Sequence, residues 1–155
     1  MTARDDPTCA SLFEFVAATL ERAWHVDTAW IDDWDATNPA RGQCGSSALV
    51  VQDLCGGAVI RGLVEDASPD GLIVHYWNRL EDDDADTTWQ QFSLRARVVS
   101  GIEVDRTELL TSRWLVERYE TLRDRVELVT CVSGSPDRRS SIAGPAFRIG
   151  RSERG

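Results

Sequence analysis

Residues 38–51 read Asn-Pro-Ala-Arg-Gly-Gln-Cys-Gly-Ser-Ser-Ala-Leu-Val-Val, and this stretch decides the fold. Its first half is rich in turn-forming residues, and its last four residues are apolar. The pattern predicts a buried helix from about Cys44 to Cys55, which the glycines at 56 and 57 end. Cys44 therefore lies in the first turn of a helix, where unpaired backbone N–H groups and the helix dipole favour a thiolate.

Helical periodicity occurs on both sides of this region. The pattern at residues 8–24 predicts a first helix. The pattern at residues 105–130 predicts a long helix that allows a break near 111–112. The core-facing residues of the first helix are expected to be Leu12, Phe15, Val16, Leu20, Ala23 and Trp24. Those of the long helix are expected to be Leu115, Tyr119, Leu122, Val126 and Val129.

Three runs of β-branched and aromatic residues predict an antiparallel sheet, at 58–65, 72–80 and about 93–100. Residues 68–71 read Ser-Pro-Asp-Gly, a turn, and the acidic run 81–84 is expected to be a solvated turn. Residues 27–43 are interpreted as an ordered loop anchored by tryptophans. The fold class is therefore α+β, with the helix that begins at Cys44 packed on a small antiparallel sheet.

Length and composition limit the possible functions. The 155 residues suit one domain, expected over residues 1–132, followed by a mostly irregular tail at 133–155. A net charge of -9 argues against nucleic-acid and anionic-membrane partners. All 17 basic residues are arginine, which excludes lysine Schiff-base chemistry. No signal peptide or membrane span is expected, and four unevenly spaced cysteines are typical of a reduced, cytoplasmic protein.

A cysteine nucleophile needs an imidazole partner, and the chain has 2 histidines. His25 follows the first helix with no evident orienting group, whereas His75 lies within a predicted strand. Asp86 follows the acidic turn, so pairing of its two flanks would bring this carboxylate to His75. The predicted catalytic residues are therefore Cys44, His75 and Asp86.

Four strings, at residues 38–44, 48–57, 75–80 and 86–92, resemble the YunG family of bacterial proteins. The Cys-His-Asp order is also similar to that of papain-like and transglutaminase-like enzymes, and this resemblance implies their fold and a catalytic triad. Gly-Gln-Cys at 42–44 is similar to the transglutaminase nucleophile motif, although Gly45 stands where those enzymes have tryptophan. The turn before Asp86 is one residue shorter than in the YunG pattern, which keeps Asp84 as the alternative partner of His75.

Several further residues are candidates for binding substrate. The backbone N–H of Cys44, with Asn38 or Gln43, is expected to stabilise an oxyanion. Trp34 and Trp77 are candidates for lining a pocket, and Asn78 is a further candidate for positioning substrate. No metal site is expected, because the lone cysteines lack the paired spacing of zinc ligands and the acidic turn lacks the EF-hand glycine.

We expect a cysteine-dependent hydrolase, deamidase or transferase that acts on an amide, ester or thioester of a small molecule or peptide, without a cofactor. The alternative is a non-catalytic binding module with the same scaffold. The position of the Cys44 sulfur distinguishes the two hypotheses: hydrogen-bond reach of His75 at an open pocket favours the enzyme.

Overall fold

The computed structural model describes residues 9–67, 71–132 and 147–149. Its helices are α1 (Cys9–Ala23), α2 (Cys44–Cys55), α3 (Arg106–Leu109) and α4 (Arg113–Val132). Its strands are β1 (Ala58–Glu65), β2 (Leu72–Leu80), β3 (Asp83–Asp86), β4 (Arg97–Val104) and β5 (Phe147–Ile149). Short 3-10 turns lie at Val26–Thr28 and Trp89–Gln91.

The strands form one antiparallel sheet in the order β4-β1-β2-β3-β5. Helix α2 packs between this sheet and the helices α1 and α4, so the predicted α+β class with a small antiparallel sheet is confirmed. The buried Asn78 of β2 fixes the contact, since its Nδ2 donates a 2.9 Å hydrogen bond to the carbonyl of Ala48 in α2.

The predicted limits of α2, β1 and β2 are confirmed without a shift of a single residue. Helix α2 ends where the glycines predict, because Gly56 has a φ of +74° that glycine adopts without strain. The expected break in the C-terminal helix is also present, since α3 ends at Leu109 and α4 begins at Arg113.

Two predictions about the sheet are wrong. Strand β4 begins at Arg97 and ends at Val104, four residues later at each end than expected, because its pairing with β1 places Val104 opposite Val59. The acidic run is only partly a turn, since Asp83 and Asp84 already belong to β3. The predicted turn at 68–71 falls mainly on residues outside the described ones, as does the tail apart from β5.

The exposure of three apolar side chains, Phe13, Phe15 and Leu54, differs from what the helical patterns predict. Phe15 is 53% exposed, and Phe13 is buried instead, because Phe13 shares its helix face with Val16 and Leu20. Helix α2 is buried from Gly45 to Val51, but its last turn reaches the surface and Leu54 is 45% exposed. None of the helices in the described part of the chain combines the length and hydrophobicity needed to cross a membrane.

Candidate active site

Cys44 is the first residue of α2, and its thiol is partly exposed. The preceding Gln43 is fully buried and fixes the helix start: its Oε1 accepts from the Thr28 hydroxyl at 2.8 Å, and its Nε2 donates to the His25 carbonyl at 3.0 Å. The first backbone hydrogen bond of the helix runs from Ser47 N to the Gln43 carbonyl. The N–H of Cys44 therefore precedes the helical ladder and points to the end that favours an anion.

The turn before the cysteine requires glycine. Gly42 has a φ of +77°, and a Cβ at this position would lie 2.7 Å from Cγ1 of Ile31. The Gly42 carbonyl also accepts a 2.7 Å hydrogen bond from Trp30 N. This close contact packs the loop at 28–31 against the chain immediately before Cys44.

The β2–β3 hairpin brings His75 and Asp86 together. Nε2 of His75 lies 2.6 Å from Oδ2 of Asp86, and each side chain is 1% exposed. The second carboxylate oxygen, Oδ1, accepts hydrogen bonds from the backbone N and the hydroxyl of Thr88, at 2.8 and 3.0 Å. The carboxylate is therefore held by three donors, which fixes both its position and that of the imidazole.

Asp84, the alternative partner of His75, binds elsewhere. Its Oδ1 accepts from Arg79 Nε at 2.7 Å, and its Oδ2 accepts from the Trp77 indole at 3.0 Å. Asp84 and Asp86 are two residues apart on one strand, so they project from the same face of the sheet. The hairpin register therefore places Asp86, and not Asp84, against the imidazole.

Aromatic rings surround His75 on the same face of the sheet. Trp77 is stacked on it with a ring-centroid distance of 5.9 Å, and Phe92 meets it edge-on at 4.8 Å. The indole of Trp77 in turn lies over Gly62 and Gly101, where a Cβ would come within 2.2 and 2.7 Å of its ring atoms. The two glycines therefore give Trp77 a flat surface, and Trp77 buttresses His75.

The charge of His75 follows from these contacts. Burial lowers the pKa of the imidazole, but the charge of Asp86, the hydrogen bond to it and the interaction with Cys44 outweigh burial and raise the pKa to about 10. Because Asp86 occupies Nε2, Nδ1 is the nitrogen that remains for the thiol. Nδ1 is buried and makes no aligned hydrogen bond within the described residues, so Cys44 lies close to the ring without a full hydrogen bond.

A cavity of about 700 Å³ opens at Cys44. Its walls come from α2, the loop before α2, strands β1 and β2, and the first turns of α4. Tyr76, whose pKa is raised by burial, lies on the sheet side with Arg61 opposite it in β1. The cavity is wide enough for a small molecule or a short segment of peptide.

The remaining predicted site residues are divided between the cavity and the core. Asn38 lines the cavity, and its Nδ2 donates to the carbonyl of Gln91 at 3.1 Å. Gln43 does not line it, because both ends of its amide are used within the loop. Trp34 donates its indole N–H to the Pro39 carbonyl and holds that loop closed.

Trp77 and Asn78 also lie behind the cavity wall. Trp77 is 2% exposed and contacts the ring of His75, so it supports the imidazole and does not face the cavity. Asn78 is 1% exposed and uses its amide to hold α2 on the sheet. These two side chains position other groups of the site.

Sequence reasoning did not single out the charged residues of the cavity. Arg61 and Glu108 form a 3.4 Å ion pair at its wall, and Arg118 of α4 also lines it. A charged residue in the middle of β1, between Ile60 and Gly62, was an available signal for Arg61. Arg118 gave no such signal, because it is one of many arginines on a polar helix face.

The family model described as YunG protein matches residues 13–130, most of the chain and all of the residues discussed at this site. The chain belongs to the YunG family. No curated protein and no solved structure matches it. Within the described residues of this YunG protein, no group of three or more His, Cys, Asp or Glu side chains is arranged to hold a metal ion.

Proposed function

We propose that this YunG protein is an acyl-transfer enzyme with Cys44 as nucleophile, His75 as proton carrier and Asp86 as the group that orients His75. The observation that carries the proposal is the buried His75, which Asp86 holds through Nε2 and which interacts with the side chain of Cys44 at the start of α2. A papain-like arrangement of helix and sheet belongs to the same proposal. A reducing, cytoplasmic setting suits a thiol nucleophile.

The resting state in this mechanism is a thiolate beside a protonated imidazole. The raised pKa of His75 supports it, because a histidine charged at neutral pH can stabilise a thiolate and supply the proton for the leaving group. The Cys44 sulfur attacks the carbonyl carbon, the bond to the leaving amine, alcohol or thiol breaks, and the proton of Nδ1 goes to that group. Water or an amine then attacks the thioester, returns a proton to Nδ1 and releases the thiolate.

The developing oxyanion needs donors in the cavity. The N–H of Cys44 is one, since it precedes the first backbone hydrogen bond of α2. The side chain of Asn38 is the second in this proposal, because it lines the cavity and its amide has one N–H beyond that used by Gln91. The amide of Gln43 is already occupied by Thr28 and His25, which disfavours it for this role.

The experiment is acylation of the purified protein by simple thioester and activated-ester probes, followed by intact-mass spectrometry. We expect one acyl adduct on the wild type and on Cys55→Ala, which removes the thiol at the other end of the same helix. We expect no adduct on Cys44→Ala and a rate lower by about 100-fold or more on His75→Gln. Equal labelling of all four proteins would remove the proposed mechanism.

A binding module without catalysis is the second candidate, and one observation favours it. Nδ1 of His75 is not aligned with the Cys44 thiol for a full hydrogen bond. Catalytic hydrogen bonds are often loose without substrate, so the same geometry also occurs in enzymes. Alkylation separates the two functions: an iodoacetamide rate at Cys44 no higher than at Cys55 supports the binding module.

A further inference from the structure

The cavity contains a cation that the reaction proposed above does not use. The guanidinium of Arg118 is held by three contacts. Its Nε donates a 2.6 Å hydrogen bond to the Ala29 carbonyl, its Nη1 donates a 3.4 Å hydrogen bond to the Trp114 carbonyl, and it lies 3.2 Å from the ring centre of Trp114. A stacked guanidinium keeps its remaining N–H groups available in a fixed plane. Arg118 is therefore presented to the cavity in a defined orientation.

The charge of Arg118 is not balanced by an acidic side chain. Arg41 and Arg61, the other arginines of the cavity wall, form ion pairs with Asp33 and Glu108. Within the residues that the structure describes, Arg118 has no ion pair, although the chain carries a net charge of -9. A buried or partly buried cation without a partner favours an anionic ligand.

Arg118 also lies near the nucleophile. The carbonyl that it binds belongs to Ala29, and the next residue, Trp30, donates to the carbonyl of Gly42, two positions before Cys44. Leu115, one turn earlier on α4, faces Gly45, since a Cβ there would lie 3.1 Å from Leu115 Cδ1. The first turns of α4 thus pack against the start of α2.

The cavity that both groups line also has apolar residues in its walls. Ile73 and Val74 of β2 and Leu115 of α4 line the cavity together with Arg118 and Cys44. A ligand that spans this space needs a hydrocarbon segment with an anionic end. A carboxylate matches the planar donor pair of a guanidinium.

We propose that the acyl donor of this YunG protein carries a carboxylate on a short hydrocarbon chain, with Arg118 binding the carboxylate while Cys44 attacks the acyl carbon. Arg61 also lines the cavity, but Glu108 already balances its charge. This inference rests on the proposed function and identifies its substrate class. The acyl-transfer steps are those given above, and the carboxylate takes no part in them.

A binding experiment tests the inference without any reaction. The inactive Cys44→Ser protein is titrated with adipate and with adipamide, two molecules of the same length that differ in charge, and amide chemical shifts are followed by NMR. We expect adipate to perturb the spectrum at concentrations where adipamide does not. We expect Arg118→Gln to remove that difference, and Arg113→Gln, an exposed arginine on the same helix, to keep it.

A kinetic experiment tests the link to catalysis. Two N-acetylcysteamine thioesters are compared in single-turnover acylation of Cys44. The first is the monothioester of adipic acid, which keeps a free carboxylate at the far end, and in the second (the monoamide) that carboxylate is replaced by a carboxamide. We expect the wild type to prefer the acid by about tenfold or more, the preference typical of a charge-assisted pair. Arg118→Gln should lose this preference while still accepting the monoamide, and Arg118→Lys should keep part of it. Arg61→Gln leaves the hydrogen bond between Arg118 and Ala29 intact, so it should reduce the preference for the acid less than Arg118→Gln does.

The outcomes separate the inference from the function on which it rests. Acylation of Cys44 by both thioesters at equal rates supports the enzyme and overturns the carboxylate preference. Binding of adipate without acylation by either probe overturns the acyl-transfer function and supports an anion site at Arg118. Equal binding of adipate and adipamide to the Cys44→Ser protein with Arg118 intact overturns the inference, whatever Arg118→Gln does.

Discussion

Replacing Asp86 by asparagine should destabilise the protein in a pH-dependent way. The asparagine can still accept from Thr88, but it presents an uncharged group to Nε2 of His75. Without the carboxylate, burial dominates and holds His75 neutral at pH 7. The wild type therefore contains a buried ion pair where Asp86→Asn has two neutral groups.

The size of the effect follows from the pKa of His75. The interval from its ordinary value of 6.5 to about 10 corresponds to roughly 5 kcal/mol at 1.36 kcal/mol per pH unit. Because the pKa is raised on folding, this stabilisation is complete below about pH 6.5 and is lost as the pH rises through about 10. Removing one partner of a buried ion pair typically lowers the free energy of unfolding by about 3 to 5 kcal/mol, which agrees with the value from the pKa of His75.

The assay is urea unfolding followed by tryptophan fluorescence, on both proteins and at several pH values. The difference in unfolding free energy should be roughly 5 kcal/mol near pH 6, roughly 3 near pH 8 and below about 1 near pH 10. Asp84→Asn is the matched control, because it removes a partly exposed ion pair from the same strand and should cost at most about 1 kcal/mol at every pH. A difference for Asp86→Asn that stays constant or grows towards pH 10 would refute the charged pair.

Three further substitutions test the support of the site. Gly62→Ala should lower the unfolding free energy in urea by about 3 kcal/mol, because its Cβ would lie 2.1 Å from the Ser100 carbonyl and 2.2 Å from the Trp77 ring. An unchanged midpoint would contradict that packing. In Gly56→Ala no atom lies within 4 Å of the new Cβ, so only the φ of +74° is unfavourable for alanine, and the free energy of thermal unfolding should fall by about 1 kcal/mol. A larger decrease would mean that the new Cβ meets other atoms. Asn78→Ala should cost roughly 1 to 3 kcal/mol by removing the hydrogen bond from this buried amide to the Ala48 carbonyl. Calorimetry showing no loss would exclude that hydrogen bond as a stabilising contact between helix and sheet.

The central part of the fold was predictable because its signals are local. Glycines at 56 and 57 end α2, and the runs at 58–65 and 72–80 are bounded by turn residues, so each limit is determined by its neighbours in sequence. Strand β4 was displaced because its limits depend on pairing with β1, a contact that the strand's own residues do not specify. Leu94 shows the same point, since an apolar residue at the expected start of the strand is fully exposed in a turn.

The candidate site was predictable in part for a different reason. The chain has 2 histidines, and only one of them follows the cysteine in a predicted strand. His75 was therefore the single good candidate for the imidazole partner of Cys44. Gln43 could not be assigned from sequence, because the two hydrogen bonds that occupy it come from a loop 15 to 18 residues away. Arg118 was not predictable, since only the packing of α4 on α2 decides which arginine of that helix faces the cavity.

The two-residue turn between β2 and β3 has a consequence for insertions and deletions. Glu81 and Asp82 form this turn, and Glu81 adopts a left-handed φ of 57°. Adding or removing one residue without a compensating bulge would shift the pairing by one position and send Asp86 to the opposite face of the sheet. The position beside the imidazole would then be taken by Ala85 after an insertion and by Thr87 after a deletion. Insertions or deletions of two residues in this hairpin should therefore be tolerated, because they return a residue to the same face of the sheet. A change of one residue should be found only together with the loss of His75.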